Sequence, residues 1–254
     1  MRKINYIQET QRIVEFIQNK CQKSGFNKIV IGLSGGIDSA LGAALAVRAL
    51  GKDNVIAVMM PYKSSHPDSL NHAKLLAKEL DISYHIIDIT PMVDAYFDNY
   101  AQDTDVLRKG NFMARTRMCV LYDFSAKNKA LVLGTSNKSE IYANYCTQYG
   151  DSACAFEPFA HLYKREVWEI SKHLNVPQQI LDKKPTADLW EGQTDEQELG
   201  IDYTTLDKIL YQILDLNMSD EEILSTSITK EQLELVKRKI KLSEFKRHMP
   251  DMLD

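Results

Sequence analysis

The sequence has 254 residues, of which 44% are hydrophobic and 26% are charged, and its formal net charge is −4. This acidic balance argues against an extended nucleic-acid-binding face, which needs a surplus of Lys and Arg. The sequence has no apolar run of about 18 residues, so it predicts no transmembrane helix, and its amphipathic N-terminus lacks the pattern of a signal peptide. We therefore expect a cytoplasmic protein that binds neither membranes nor nucleic acid.

Hydrophobic periodicity predicts helices and strands that alternate over the first half of the chain. In chain order these are a helix at 4–22, a strand at 28–33, a helix at 38–50, a strand at 54–60, a helix at 68–80, a strand at 83–89, a helix at 105–127 and a strand at 130–134. After residue 150 the pattern predicts helices at 164–174, 203–216, 219–225 and 229–245. Such alternation is typical of an α/β fold with a parallel sheet and right-handed crossovers.

We expect a single domain over residues 1–254, with an α/β core at about 25–180 and a helical C-terminal part at 203–254. Between them, residues 182–202 are polar and include one proline and two glycines. A loop of this length in a compact domain is usually functional, so we predict a lid. Ligands of parallel sheets bind beyond the carboxyl ends of the strands, where the motifs of this sequence fall.

The segment Gly32–Ser39, with the sequence GLSGGIDS, joins the first predicted strand to the helix at 38–50. Glycines let the backbone turn tightly and approach a ligand, and the amides at a helix N-terminus bind anions. The segment is not a Walker A loop, because no lysine follows the glycines. Asp38 would repel a bare anion, but it fits a divalent metal ion that also binds phosphate oxygens. The alternative without a ligand is an ordinary turn with Asp38 as the helix N-cap.

The string SGGIDS resembles the SGGxDS signature of the pyrophosphate-loop ATPases. Five further stretches extend the resemblance to bacterial ammonia-dependent NAD synthetases over almost the whole chain. They are KGNFMARTRM at 109–118, GTSNKSE at 134–140, YGDSA at 149–153, HLYKREVWEI at 161–170 and KPTADLWEGQTDEQELG at 184–200. The resemblance implies an α/β fold with a parallel Rossmann-like sheet and helices on both faces, of the adenine-nucleotide alpha-hydrolase-like type.

The same resemblance implies a ligase that amidates deamido-NAD with ammonia at the expense of ATP. ATP adenylates the nicotinate carboxylate and releases pyrophosphate, after which ammonia displaces AMP to give NAD. Mg²⁺ is the implied metal ion, and a homodimer is the implied assembly. Glutamine-dependent relatives carry an additional amidase domain, for which 254 residues leave no room. We therefore expect free ammonia as the nitrogen source, and the alternative is ammonia supplied by a separate subunit.

The resemblance also assigns roles to individual residues, position by position. ATP binding is implied for Gly32, Leu33, Ser34, Gly35, Gly36, Ile37, Asp38, Ser39, Thr135, Lys164 and Thr186. Asp38 and Glu140 are the implied Mg²⁺ ligands, and Arg115 and Lys246 are the implied contacts of the dinucleotide. The catalytic candidate is Asp151, which is implied to lie near the incoming ammonia, where a carboxylate attracts ammonium and accepts its proton.

Several of these assignments have structural alternatives. A solvated surface position or a turn is the alternative for Glu140, Lys164, Thr186 and Asp151. Arg115 and Arg117 lie on one predicted helix but face different sides, so one can bind ligand while the other forms a structural salt bridge. Departures from the family pattern occur at Gln148, Ala155 and Phe245, so no role is carried over to them.

Two other functions stay open from the sequence. A tRNA-modifying pyrophosphate-loop enzyme would need a basic surface and often paired cysteines, and this chain has a net charge of −4 and no CxxC pair. A nucleotide-binding sensor without catalysis would have no need for Asp38, Glu140 and Lys164 together, since these three serve metal-assisted bond breaking.

Overall fold

Four short parallel strands form the centre of the fold. The structure is a computed structural model that describes residues 2–190, 192–250 and 252–253. Within these residues the strands are β1 (Lys28–Gly32), β2 (Val55–Met59), β3 (Ser83–Ile86) and β4 (Ala130–Val132), in the spatial order β3-β2-β1-β4. The chain therefore builds outward from β1 to β3 and then returns to place β4 on the other side of β1.

Helices follow or precede each strand and make up the whole C-terminal part. They are α1 (Tyr6–Ser24), α2 (Ile37–Leu50), α3 (Pro67–Glu79), α4 (Thr90–Tyr100), α5 (Val106–Asn128), α6 (Lys138–Tyr142), α7 (Lys164–His173), α8 (Gln178–Leu181), α9 (Asp195–Leu199), α10 (Tyr203–Leu214), α11 (Asp220–Leu224) and α12 (Lys230–Ser243). No helix in the described part of the chain is long and apolar enough to cross a bilayer.

Both faces of the sheet are covered by helices. Successive residues of a strand point to opposite faces, and Ile29 and Ile31 of β1 pack in one apolar cluster with residues of α1, α2 and α7. Val30, between them, packs in another cluster with Phe124 of α5. Strands buried on both faces read as continuous apolar runs, which is why β1 and β2 are evident in the sequence. The predicted parallel sheet with helices on both faces is confirmed.

The C-terminal helices form another apolar cluster, which is joined to the cluster of Ile29 and Ile31. Leu206 and Leu210 of α10 pack there with Leu233 and Val236 of α12. Trp168 of α7 packs against both clusters. An indole shared by the two clusters supports the single domain predicted for residues 1–254.

All four predicted strands and all eight predicted helices are present, with ends that shift by a few residues. Four helices were not predicted, namely α4, α6, α8 and α9. The prediction that residues 182–202 form one loop is wrong for Asp195–Leu199, which form α9. Three acidic residues lie in the first turn of α9, where their negative charge interacts favourably with the helix dipole and stabilises the helix. Glu191, also within the predicted lid, lies outside the described residues.

The link between the two clusters leads to a prediction about unfolding. Replacing the fully buried Leu206 with Ala removes apolar contacts and leaves a cavity, so we expect a loss of about 2–5 kcal/mol in the free energy of unfolding. The loss should appear in a single cooperative urea transition followed by both fluorescence and circular dichroism. The control is Leu216→Ala, because Leu216 is 49% exposed. A separate early transition for the C-terminal helices would contradict the single domain.

Candidate active site

A large cavity opens at the carboxyl ends of β1, β2 and β4. Its volume is about 860 Å³, and Gly32, Met59 and Val132 line it at the ends of these strands. The direction of strand addition reverses between β1 and β4, and in open α/β sheets the crevice at such a reversal is the usual ligand site. The predicted position of the site is therefore matched by a cavity of ligand size.

The glycine turn between β1 and α2 forms one wall of the cavity. Gly35 has a φ of 74°, and a Cβ at this position would lie 2.1 Å from the Ser69 carbonyl oxygen, so glycine is required both by conformation and by space. The Ser34 amide donates to the Ser39 hydroxyl at 3.2 Å, and the Ser39 hydroxyl reaches the Gly36 carbonyl at 3.0 Å. These bonds hold the turn in shape.

Helix α2 begins without a side-chain cap. Its N-cap is Gly36, and Asp38 is the second residue of the helix, so the alternative that Asp38 caps the helix is wrong. The first amides of a helix have no partner within the helix, and here the residues of the first turn line the cavity. This end of α2 is therefore suited to bind an anion such as a phosphate.

Lys164 lies between two carboxylates at the centre of the site. Its Nζ is 2.6 Å from Oδ2 of Asp38 and 2.7 Å from Oε1 of Glu140, and its side chain is 2% exposed. Asn137 orients Asp38 by donating to Oδ1 at 2.8 Å. Burial disfavours the ammonium, but the charges of Asp38 and Glu140 outweigh burial, so the pKa of Lys164 is raised. The surface positions considered for Lys164 and Glu140 are wrong.

The cluster around Lys164 carries an excess of negative charge. Burial and the charge of Asp38 raise the pKa of Glu140 despite the neighbouring ammonium. Burial also raises the pKa of Asp195, the first residue of α9. Three acidic side chains therefore surround one ammonium, and a divalent cation bound beside them would favour their ionised forms.

Asp38 and Glu140 fit the coordination that Mg²⁺ prefers. This ion takes one or two carboxylates and completes its shell with water and phosphate oxygens. No cluster of three or more His, Cys, Asp or Glu with metal-binding geometry occurs within the part of the chain that the structure describes. The two carboxylates beside the open glycine turn match a magnesium–phosphate site and not a cage formed by protein ligands alone.

Helix α9 connects the predicted lid to this cluster. The Tyr203 hydroxyl lies 3.0 Å from Oδ2 of Asp195 and 3.4 Å from Oε1 of Glu140. The Tyr145 hydroxyl lies 2.9 Å from Oδ1 of Asp195 and 2.6 Å from Oε2 of Glu198. The Tyr203 hydroxyl therefore connects Asp195 of the lid to Glu140, the carboxylate that pairs with Lys164.

Asp151 lies in the wall of the cavity and also holds a turn. Its Oδ1 accepts from the Thr147 amide at 2.7 Å, as the turn alternative requires. Solvent reaches the carboxylate through the cavity, but protein atoms surround it, and the resulting desolvation raises its pKa. Both interpretations of Asp151 are consistent with this geometry.

The two arginines of α5 occupy different places. Arg117 lines the cavity and donates to the Met60 carbonyl at 3.0 Å. Arg115 is exposed and donates to the Gln148 carbonyl at 3.2 and 3.3 Å, outside the residues that line the cavity. Lys246 does line the cavity, and its Nζ donates to the Cys146 carbonyl at 2.7 Å.

The remaining predicted residues also line the cavity, with the exception of Gly35 in the glycine turn. Thr135 and Thr186 line it, and the Thr186 hydroxyl accepts from the Asp188 amide at 3.0 Å, so this threonine is both a turn residue and part of the wall. Lys183 and Asp195 line the cavity too but were not singled out from the sequence as site residues, whereas Arg117 was one of the two arginines considered as a ligand contact. The pair Lys183-Lys184 before Pro185 was a signal of positive charge in the lid.

Comparisons with known proteins identify the family. The NAD synthase family model matches residues 9–250. The chain belongs to the NAD synthase family. The NH(3)-dependent NAD(+) synthetase of Fusobacterium nucleatum is 52% identical over 247 residues, which cover 97% of this chain and 95% of that protein. The NAD synthase family predicted from six motifs is thereby confirmed.

Solved structures of related proteins share the fold. An NH3-dependent NAD synthetase from Campylobacter jejuni is 36% identical with a TM-score of 0.84, and the match covers 99% of this chain and 100% of that one. An NMN synthetase from Francisella tularensis is 33% identical with a TM-score of 0.89 and the same coverage. These NAD synthase relatives do not favour the tRNA-modifying alternative.

Glu157 is an enclosed carboxyl group behind the site. Its Oε2 accepts from the Ser136 amide at 3.1 Å, and a Cβ on Gly134 would lie 2.4 Å from its Cδ, so the glycine makes room for it. Burial raises the pKa of Glu157 to about 7 from a usual value of 4.5. Glu157 thereby supports the loop from β4 to Glu140 in a pH-dependent way.

This pKa shift predicts a pH-dependent stability. Below pH 4.5 Glu157 is protonated in both the folded and the unfolded chain. As the pH rises towards about 7, the carboxyl group stays protonated only in the folded chain. The free energy of unfolding that Glu157 contributes at low pH is therefore lost between about pH 4.5 and 7. Between about pH 5 and 8 we expect the free energy of unfolding to fall by roughly 1–3 kcal/mol more in the wild type than in Glu157→Gln. Urea unfolding at both pH values measures it, with the exposed Glu79→Gln as control. Equal pH dependence of wild type and Glu157→Gln would contradict the assignment.

Proposed function

We propose that this chain forms NAD from deamido-NAD, ATP and ammonia, with AMP and pyrophosphate as the other products. The observation that carries the proposal is the buried Asp38–Lys164–Glu140 cluster beside an uncapped glycine turn. The Fusobacterium nucleatum relative, which this chain matches over 95% of its length, is named as an NH(3)-dependent enzyme and supports ammonia as the nitrogen donor. A homodimer in the cytoplasm is the proposed state of the enzyme.

The chemistry requires the carboxylate of deamido-NAD to be activated. An oxide cannot leave when ammonia attacks a carboxylate, whereas AMP leaves readily from an acyl-adenylate. The glycine turn and the first amides of α2 receive the departing pyrophosphate, and Thr135, Thr186 and Lys164 complete the ATP site. Mg²⁺ held by Asp38 and Glu140 supplies positive charge to the phosphate oxygens when it is bound.

The lid protects the activated intermediate from water. Its helix α9 is tied to the Lys164 cluster through Asp195, and Trp190 and Leu189 add apolar wall to the cavity. Hydrolysis of the acyl-adenylate would consume ATP without product, so exclusion of water has a direct benefit. Lys246 is proposed to contact the dinucleotide within the cavity. Arg115 is proposed to do so at the protein surface, where a second subunit can complete the site.

The first test is an assay of the purified protein with ATP, Mg²⁺, deamido-NAD and ammonium. We expect NAD and AMP in equal amounts, and Asp38→Asn should lower kcat by roughly 100-fold or more because it removes charge at the metal site. Asp53→Asn is the matched control, since Asp53 is exposed on the far side of α2 from the glycine turn. The mononucleotide that corresponds to deamido-NAD, nicotinate mononucleotide, is tested as a second substrate, because one structural relative is an NMN synthetase. Absence of both AMP and NAD with wild type would refute the function.

The second test concerns Asp151 as the group that accepts the proton of ammonium. Asn keeps the acceptor oxygen for the Thr147 amide, so Asp151→Asn removes the charge and leaves the turn intact. We expect kcat/KM for ammonium to fall roughly 100-fold, with KM for ATP changed by about twofold or less. Steady-state kinetics with each substrate varied separately measures this. A parallel loss for ATP and ammonium would assign Asp151 to the turn alone.

A further inference from the structure

Lys183, in the lid, has an ammonium in the cavity wall that pairs with no carboxylate of the described residues. Its Nζ donates to the Ser69 hydroxyl at 2.8 Å, and among the residues described by the structure no Asp or Glu forms an ion pair with it. Burial lowers the pKa of Lys183, and the charges of Asp188 and Asp68 offset this only in part. The half-buried cation is therefore incompletely compensated, and an anion in the cavity would supply the missing charge.

Ser69 places this ammonium next to the glycine turn. The Ser69 carbonyl oxygen and the glycine turn are in direct contact, since a Cβ on Gly35 would lie 2.1 Å from that oxygen. Ser34, Ser69 and Lys183 line the same cavity. Helix α3 begins at Pro67, which lines the cavity, so the N-terminal ends of α2 and α3 and the charge of Lys183 border the same cavity.

A purely structural role explains Lys183 less well. The same lid segment is already attached to α3 by Asp188, whose carboxylate accepts from the His66 amide at 3.0 and 3.2 Å. The Ser69 hydroxyl is a neutral acceptor and does not compensate the charge of Lys183. A glutamine side chain at this position could donate the same hydrogen bond without the cost of desolvating a charge. The described residues thus compensate the charge of Lys183 only in part, and an anion in the cavity would complete the compensation.

We propose that Lys183 binds the terminal phosphates of ATP and then the departing pyrophosphate, with Ser69 as its partner when the site is empty. In the adenylation step the carboxylate oxygen forms a bond to the α-phosphorus, the bond from that phosphorus to the bridging oxygen breaks, and its electron pair stays on the pyrophosphate. Lys183 remains protonated and stabilises this developing charge. The inference rests on the proposed function and adds a residue to it.

The test measures binding of inorganic pyrophosphate, in the presence of Mg²⁺, and of AMP by calorimetry. Lys183→Gln keeps a donor for Ser69 and removes the charge, Lys183→Arg keeps the charge, and Ser69→Ala removes only the resting partner. Lys78→Gln is the matched control, because Lys78 is an exposed lysine on the same helix as Ser69. Thermal unfolding of each variant establishes that the fold is retained.

We expect Lys183→Gln to weaken pyrophosphate binding roughly 10- to 100-fold and to raise KM for ATP, with AMP binding unchanged. Lys183→Arg should recover most of the affinity, and Ser69→Ala should lose far less than Lys183→Gln. Equal pyrophosphate affinity in wild type and Lys183→Gln, or an equal loss in Ser69→Ala, would overturn the inference. If wild type binds pyrophosphate through Lys183 but makes no NAD from deamido-NAD, the proposed function fails and the anion site stands.

Discussion

The ion pairs of Lys164 with Asp38 and Glu140 are the interaction on which the site depends. Asp38 lies in the first turn of α2, Glu140 lies in α6 after β4, and Lys164 is the first residue of α7. Three separate elements therefore meet at the ammonium of Lys164. An ion pair buried to this extent costs desolvation energy, and removing one partner leaves the others uncompensated. The cluster therefore fixes the relative positions of these elements and keeps an unsatisfied negative charge where a metal ion can be bound.

The wall of the cavity carries charge of both signs. The carboxylates of Asp38, Glu140 and Asp195 supply negative charge, while the ammonium of Lys183 and the helix ends at the starts of α2 and α3 supply positive charge. A nucleotide triphosphate with its metal ion needs both kinds of environment, since the phosphates seek amides and cations and the metal ion seeks carboxylates. The low dielectric of a cavity enclosed by protein strengthens both interactions.

The C-terminal part contributes to the site through a small number of contacts. Trp168 joins the two apolar clusters, and Tyr203 at the start of α10 reaches Asp195 and Glu140. Tyr203 thus links α10 by hydrogen bonds to Asp195 of the lid helix α9 and to Glu140. The C-terminal helices are therefore in direct contact with the site residues.

The sequence alone determined the strands, the main helices and the glycine turn, because buried β-branched runs, helical periodicity and a Gly-Gly pair at a strand end are local signals. Family motifs named Asp38, Glu140, Lys164 and Thr186. Only the tertiary structure decided that Lys164 bridges both carboxylates, that Arg117 and not Arg115 lines the cavity, and that Lys183 lacks a carboxylate partner in the described chain. These facts depend on residues up to 126 positions apart, and local patterns carry no information about distances across the fold.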